Sequence, residues 1–158
     1  MVYTRSRRPA LTLIELLIVT SILALVGAFV VPTYQLILSQ LELNSAVAQV
    51  ADFVRSAQQK TVTEQKLYGV TFTTNGTTVP LYLFNSANST KTTQNTLTLP
   101  SNITISAVNF SGNSDIQFAT SGVPNFSGNI ILTDTIRNRS REIDIRPSGA
   151  VINNQSEF

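Results

Sequence analysis

The sequence predicts an α+β protein in which a long N-terminal helix, first transmembrane and then amphipathic, packs on a small antiparallel β-domain. Three observations predict it. Leu11 to Val31 is an apolar run with Glu15 as its one ionisable side chain, an amphipathic repeat prolongs the helical period to about Thr61, and at Leu67 the chain turns rich in Thr, Asn, Ser and Gly with short apolar alternations.

The run Leu11–Val31 holds 21 residues, enough at about 1.5 Å of rise each to cross a hydrocarbon core roughly 30 Å thick. Arg5, Arg7 and Arg8 precede it, and basic residues stay on the cytoplasmic side, so the C-terminal part is expected outside the cytoplasm. The formal charge of +2 depends on that leader: without its three arginines, eight Lys and Arg face nine Asp and Glu. A secretory signal cut at Val26-Gly27-Ala28 is the competing reading of the same segment; a carboxylate inside the apolar run fits it badly.

Beyond the run, Leu36, Leu43, Val47, Val50, Val54 and Ala57 recur at steps of 7, 4, 3, 4 and 3 residues, which stacks them on one side of a helix. Residues 32–62 are therefore expected as the amphipathic half, with that stripe against the β-domain. Pro32 lacks the N–H that the preceding turn needs, so a kink or local loosening is expected there.

Strands are expected at Leu67–Thr73, Val79–Phe84, Thr96–Leu99, Ile103–Phe110, Asp115–Ala119, Asn129–Asp134 and Arg141–Arg146. Together they make residues 67–158 a β-rich head. Asn75-Gly76 is the strongest hairpin signal, and Gly122, Gly128 and Gly149 mark other turns. Asn85–Asn95, polar and low in complexity, is expected as a mobile loop.

The chain has neither cysteine nor histidine, which removes disulfides, thiolate metal sites and the commonest general base. Asp115 and Asp134 stand alone, without paired-carboxylate spacing or a nucleophile beside them. No enzyme, metal site or cofactor is expected.

Ala10-Leu11-Thr12-Leu13-Ile14-Glu15-Leu16-Leu17-Ile18-Val19 resembles the processing site of type IV pilins and type II secretion pseudopilins. In that family a short basic leader ends in a small residue before Phe-Thr-Leu-Ile-Glu; here Ala10 stands where Gly is usual and Leu11 where Phe is usual. The resemblance implies a leader at residues 1–10, cleavage between Ala10 and Leu11 by a prepilin peptidase, and methylation of Leu11. It also implies a filament whose core is made of such helices, in which Glu15 pairs with a neighbouring subunit's terminal amine and Pro32 loosens the helix for packing. A carboxylate in lipid costs a few kcal/mol and is normally paired, which suits that role; snorkelling of Glu15 to the headgroups is the simpler alternative.

Farther on, Ile116–Pro124, Gly128–Leu132 and Arg141–Val151 look like the C-terminal half of the GspH/FimT group of minor pilins and pseudopilins. The resemblance thus implies a structural subunit of a type IV pilus or type II secretion filament. Its partners would be the prepilin peptidase, other pilin or pseudopilin subunits and inner-membrane lipid. Some FimT-type proteins bind DNA through C-terminal arginines, so Arg137, Arg139, Arg141 and Arg146 are the candidate DNA contacts of an alternative function in uptake. Glu142 and Asp144 share a strand face with Arg146 under period-2 alternation, which favours a solvated charged hairpin instead.

Overall fold

A computed structural model describes residues 12–87 and 89–154, which fall into two units divided after Leu38. One α-helix, α1, runs Leu13–Glu64 and is followed by eight strands: β1 Leu67–Thr71, β2 Thr78–Asn85, β3 Thr90–Thr98, β4 Ile103–Asn109, β5 Asp115–Gln117, β6 Gly128–Asp134, β7 Arg139–Ile145 and β8 Val151–Asn154.

In the first unit the backbone stays helical through Pro32; the side chains of Pro32 and Leu36 lie outside the described set. Its apolar side chains have no cover among the described residues. Leu13, Leu23 and Phe29 are 82%, 65% and 70% exposed, and Leu13–Val30 is long and apolar enough to cross a membrane.

In the second unit, α1 turns one face inward. Leu43, Val47, Val50, Val54 and Ala57 are buried as their spacing predicts, joined by Ala46 and Ala51. The helix ends where Gln65 adopts φ 55°, the left-handed conformation that commonly closes a helix. Thr61, fully buried, links helix and sheet: its hydroxyl donates to Ala57 O at 2.9 Å and accepts the Tyr68 N–H at 3.2 Å.

The strands make two antiparallel sheets of four, ordered β3-β2-β1-β5 and β4-β6-β7-β8. Their inward residues and the buried face of α1 form one apolar cluster, with Phe72, Phe110 and Phe118 its largest fully buried members. The β1–β2 turn joins the sheets, because Asn75 N–H donates to Ile105 O at 2.7 Å and Ile105 N–H to Gly76 O at 3.1 Å. Asn75 takes φ 61° in that turn, the conformation for which Asn-Gly is chosen.

Two expectations need correction. Much of the segment expected as the loop Asn85–Asn95 is strand: β3 starts at Thr90 and pairs with β2 over its whole length, bulging at Gln94 between the Leu81–Asn95 and Tyr82–Thr93 pairs. Its periodicity was silent because β3 is an edge strand exposed on both faces over most of its length, so no apolar alternation is required of it. The strand β8 was not expected at all. It is four residues long and pairs with β7 along the sheet edge.

Candidate functional site

Glu15 sits in the first turn of α1, and Thr12 immediately precedes the helix. Thr12 Oγ1 accepts the Glu15 N–H at 3.2 Å, and its carbonyl accepts the Leu16 N–H at 3.2 Å. Thr12 is therefore an N-cap and Thr12-Leu13-Ile14-Glu15 has the spacing of a capping box. The negative charge also lies beside the positive end of the helix dipole. Thr-x-x-Glu ahead of an apolar run is the sequence signal of that pairing. One turn further on, Thr20 and Ser21 hydroxyls donate back to Leu16 and Leu17 carbonyls at 2.7–3.1 Å, so these polar groups are satisfied within the helix. Ala10 and Leu11 lie outside the described residues.

The four candidate arginines do not form one patch. Arg137 is in the β6–β7 turn, Arg139 and Arg141 lie near the start of β7, and Arg146 follows its last residue. Seven residues of strand separate Arg139 from Arg146, about 23 Å. Alternation puts Arg139 and Arg141 on the face of β7 that carries buried Ile143 and Ile145, and Glu142 and Asp144 on the other. Arg141 Nε lies 3.4 Å from Asn44 Oδ1 on α1, whereas Arg146 Nε lies 3.5 Å from Asp144 Oδ2. Arg146 is thus matched by acid, and Glu142 and Asp144 lie on the opposite face of β7 from Arg139 and Arg141.

A second polar cluster, which no local spacing in the sequence marks, covers the outer face of the first sheet. Tyr82 hydroxyl donates to Asp115 Oδ2 at 2.6 Å, and Lys91 Nζ lies 3.0 Å from the same oxygen and 4.6 Å from the centre of the Tyr82 ring. Burial together with the bond to Asp115 pushes the Tyr82 phenol well above its ordinary range. Burial would raise the Asp115 carboxyl, but the hydrogen bonds from Tyr82 and Lys91 outweigh it and hold the group low. Asp115 was singled out as a lone carboxylate; its partners come from strands 24 and 33 residues away in sequence. Among the described residues, no group of three or more His, Cys, Asp or Glu side chains gathers to hold a metal.

Solved structures resemble this arrangement of helix and sheets. The minor pseudopilin EpsH of the type 2 secretion system of Vibrio cholerae aligns with TM-score 0.59 at 7% identity, covering 72% of this chain and 96% of that one. The type IV minor pilin FimU of Pseudomonas aeruginosa aligns with TM-score 0.60 at 11% identity, covering 75% and 94%. The fold is that of the type IV pilins and pseudopilins. Neither a family model nor a curated protein matches the sequence, so at this identity the pilin fold is carried by topology. Within the pilin fold, Glu15 begins the helix that bears the head, and Arg137–Arg146 belongs to one sheet of the head itself.

Proposed function

We propose that this chain is a structural subunit, a minor pilin or pseudopilin, of a type IV pilus or type II secretion filament. The observation that carries the reading is an uncovered apolar helix, with one carboxylate in its first turn, continuing into the helix of a pilin head. Cleavage after Ala10 by a prepilin peptidase and methylation of Leu11 complete the reading. The subunit then waits in the inner membrane as a single-pass protein, its head outside the cytoplasm, until the helix exchanges lipid for neighbouring helices. Glu15, with its backbone N–H already bonded to Thr12, offers its carboxylate oxygens to the terminal amine of an adjacent subunit, and Pro32 leaves the Ala28 carbonyl without its usual helical donor. The role is one of assembly rather than catalysis.

Mass spectrometry of protein made with a prepilin peptidase tests this. A chain beginning at methylated Leu11 is expected; one beginning at Phe29 identifies a secreted domain instead. Glu15→Ala is expected to insert in the membrane and fail to enter filaments.

DNA capture by Arg137, Arg139, Arg141 and Arg146 is the second reading, favoured by their density and weakened by the distance and acid pairing that set Arg146 apart. Replacing all four by Gln leaves assembly intact under the first reading and abolishes salt-sensitive DNA binding under the second.

A further inference from the structure

The exposed large apolar side chains of the second unit gather at its two ends. Among the described residues these are Leu41, Val62, Val123 and Ile136. Leu41 adjoins Glu42, whose carboxylate accepts from Asn102 Nδ2 at 2.9 Å, and the Asn102 carbonyl accepts the Thr135 N–H of the β6–β7 turn at 2.8 Å. Leu41 and Ile136 therefore share one end. At the other, Val62 lies against Gly122, where an added Cβ would stand 3.2 Å from the valine methyl, and Val123 follows directly. Glu42 and Val62 are 20 residues apart on α1, about 30 Å of helix.

The two ends differ in shape. At the first, Ile136 is 73% exposed on a braced turn: the buried Asp134 accepts the Ile136 N–H on its carboxylate at 3.0 Å and the Asn138 N–H on its carbonyl at 2.8 Å. At the second is a groove of about 280 Å³ lined mainly by Leu67, Phe84, Phe118, Ala119, Val123 and Pro124. Leu67 and Phe84 face each other across β1 and β2, and the segment 118–124 supplies the rest of the lining. The groove is smaller than most clefts that take a small molecule. An aliphatic side chain suits it better.

Charge divides the same way. Arg137 and Arg139 flank Ile136, and neither guanidinium has a hydrogen bond or ion pair among the described residues. Beside the groove α1 ends, with Glu64 in its last turn and no basic residue there, so a carboxylate and the negative pole of the helix stand where cations are favoured. Lys66, 3.9 Å from Glu64 Oε2, answers part of that charge.

We infer that the groove receives the β6–β7 turn of a second copy of this chain. Ile136 enters the apolar lining, and Arg137 and Arg139 meet Glu64 and the last carbonyls of α1. Wedge and groove are different surfaces at opposite ends, so the contact is heterologous: each copy gives its turn to one neighbour and its groove to another, the arrangement from which open filaments are built. The inference rests on the filament reading for bringing copies side by side, and the test separates the two.

The chain has no cysteine, so single thiols can be placed on the full-length protein. Arg137→Cys puts one beside the wedge, Ala119→Cys one in the groove, and Ser106→Cys, at an exposed position of β4, serves as reference. The proteins are made with a prepilin peptidase, purified in detergent micelles and oxidised in pairs. Mixing the Arg137→Cys and Ala119→Cys proteins is expected to give about tenfold more disulfide dimer than mixing either with the Ser106→Cys protein, as a raised effective concentration requires. Adding Ile136→Asp to the Arg137→Cys protein should remove that excess; Ile136 is exposed, so the fold is spared. Dimer no more abundant than in the reference mixtures overturns the inference. So does dimer formed as readily by the Arg137→Cys protein alone, which marks a two-fold contact of turn with turn. Mass spectrometry of the same samples reads the N-terminus. Chains starting at methylated Leu11 without the excess dimer overturn the contact and leave the filament reading standing, whereas excess dimer from chains starting at Phe29 supports the contact and removes the filament.

Discussion

The Tyr82 hydroxyl donates a 2.6 Å hydrogen bond to Asp115 over the bare surface of Gly69, joining β2 to β5 across the strand β1 that separates them. Lys91 of β3 adds its ammonium to the same carboxylate, so all four strands of the first sheet meet at one polar cluster. A Cβ at position 69 would collide with the Tyr82 hydroxyl oxygen and lie 2.6 Å from the Ile116 carbonyl oxygen. Gly69→Ala is therefore expected to destabilise the head by about 1–3 kcal/mol, the usual range for overpacking, read as a lowered urea midpoint with an unchanged slope.

The same cluster sets a pH dependence. Asp115 is held below its ordinary carboxylate range, so its stabilisation is full above the unfolded value of about 3.9 and is lost as pH falls through the folded one. Tyr82 is shifted upward, so its stabilisation is full below about pH 10 and is lost as pH rises beyond it. Urea midpoints measured against pH should fall at both extremes. Tyr82→Phe is expected to flatten both limbs, leaving an alkaline remainder from Tyr68, which its bond to Glu64 and its burial also raise.

Thr12 should matter through its hydroxyl. Thr12→Ala is expected to cost about 1 kcal/mol at the start of α1 and Thr12→Ser very little. In micelles, hydrogen exchange at the Glu15 amide, which donates to Thr12 Oγ1, should accelerate about fivefold in the alanine variant for a cap of that size. Equal exchange in all three proteins would remove the cap.

Gln58 holds two loops of the head to α1. Its Nε2 donates to Gly122 O at 2.7 Å, and Gly149 packs so closely that a Cβ there would collide with that nitrogen and lie 2.7 Å from Gly122 O. Gln58→Ala is expected to cost about 0.5–1.5 kcal/mol, the net value of one hydrogen bond, and to raise protease sensitivity around Ser121 and Ser148. Gly149→Ala should cost more, because its φ of 81° disfavours any side chain. If the two positions act through one contact, the double variant will be less destabilised than the sum of the single variants.

The helix and the inward strands were legible because burial imposes a period. Val47, Val50 and Val54 face the core at helical steps, and Ile143 and Ile145 at strand steps. Where burial imposes none, the pattern was mute: β3 has two solvent faces over most of its length, and β8 is too short to alternate. The polar clusters were hidden for a different reason. Asp115, Lys91 and Tyr82, like Gln58 and Gly122, meet only through strand order and tertiary packing, which no local spacing encodes. The arginines show the reverse relation between sequence and structure. Nearness in sequence made four of them one group, and an extended strand set them apart.

The bulge at Gln94 in the edge strand β3 bears on how such heads tolerate crowding. An unpaired strand with regular N–H and C=O groups invites the next chain to add to it, and close-packed copies raise that hazard. Here the extra residue breaks the repeat between Thr93 and Asn95, and Lys91 stands on the same strand. An edge interrupted in this way resists the addition of another strand.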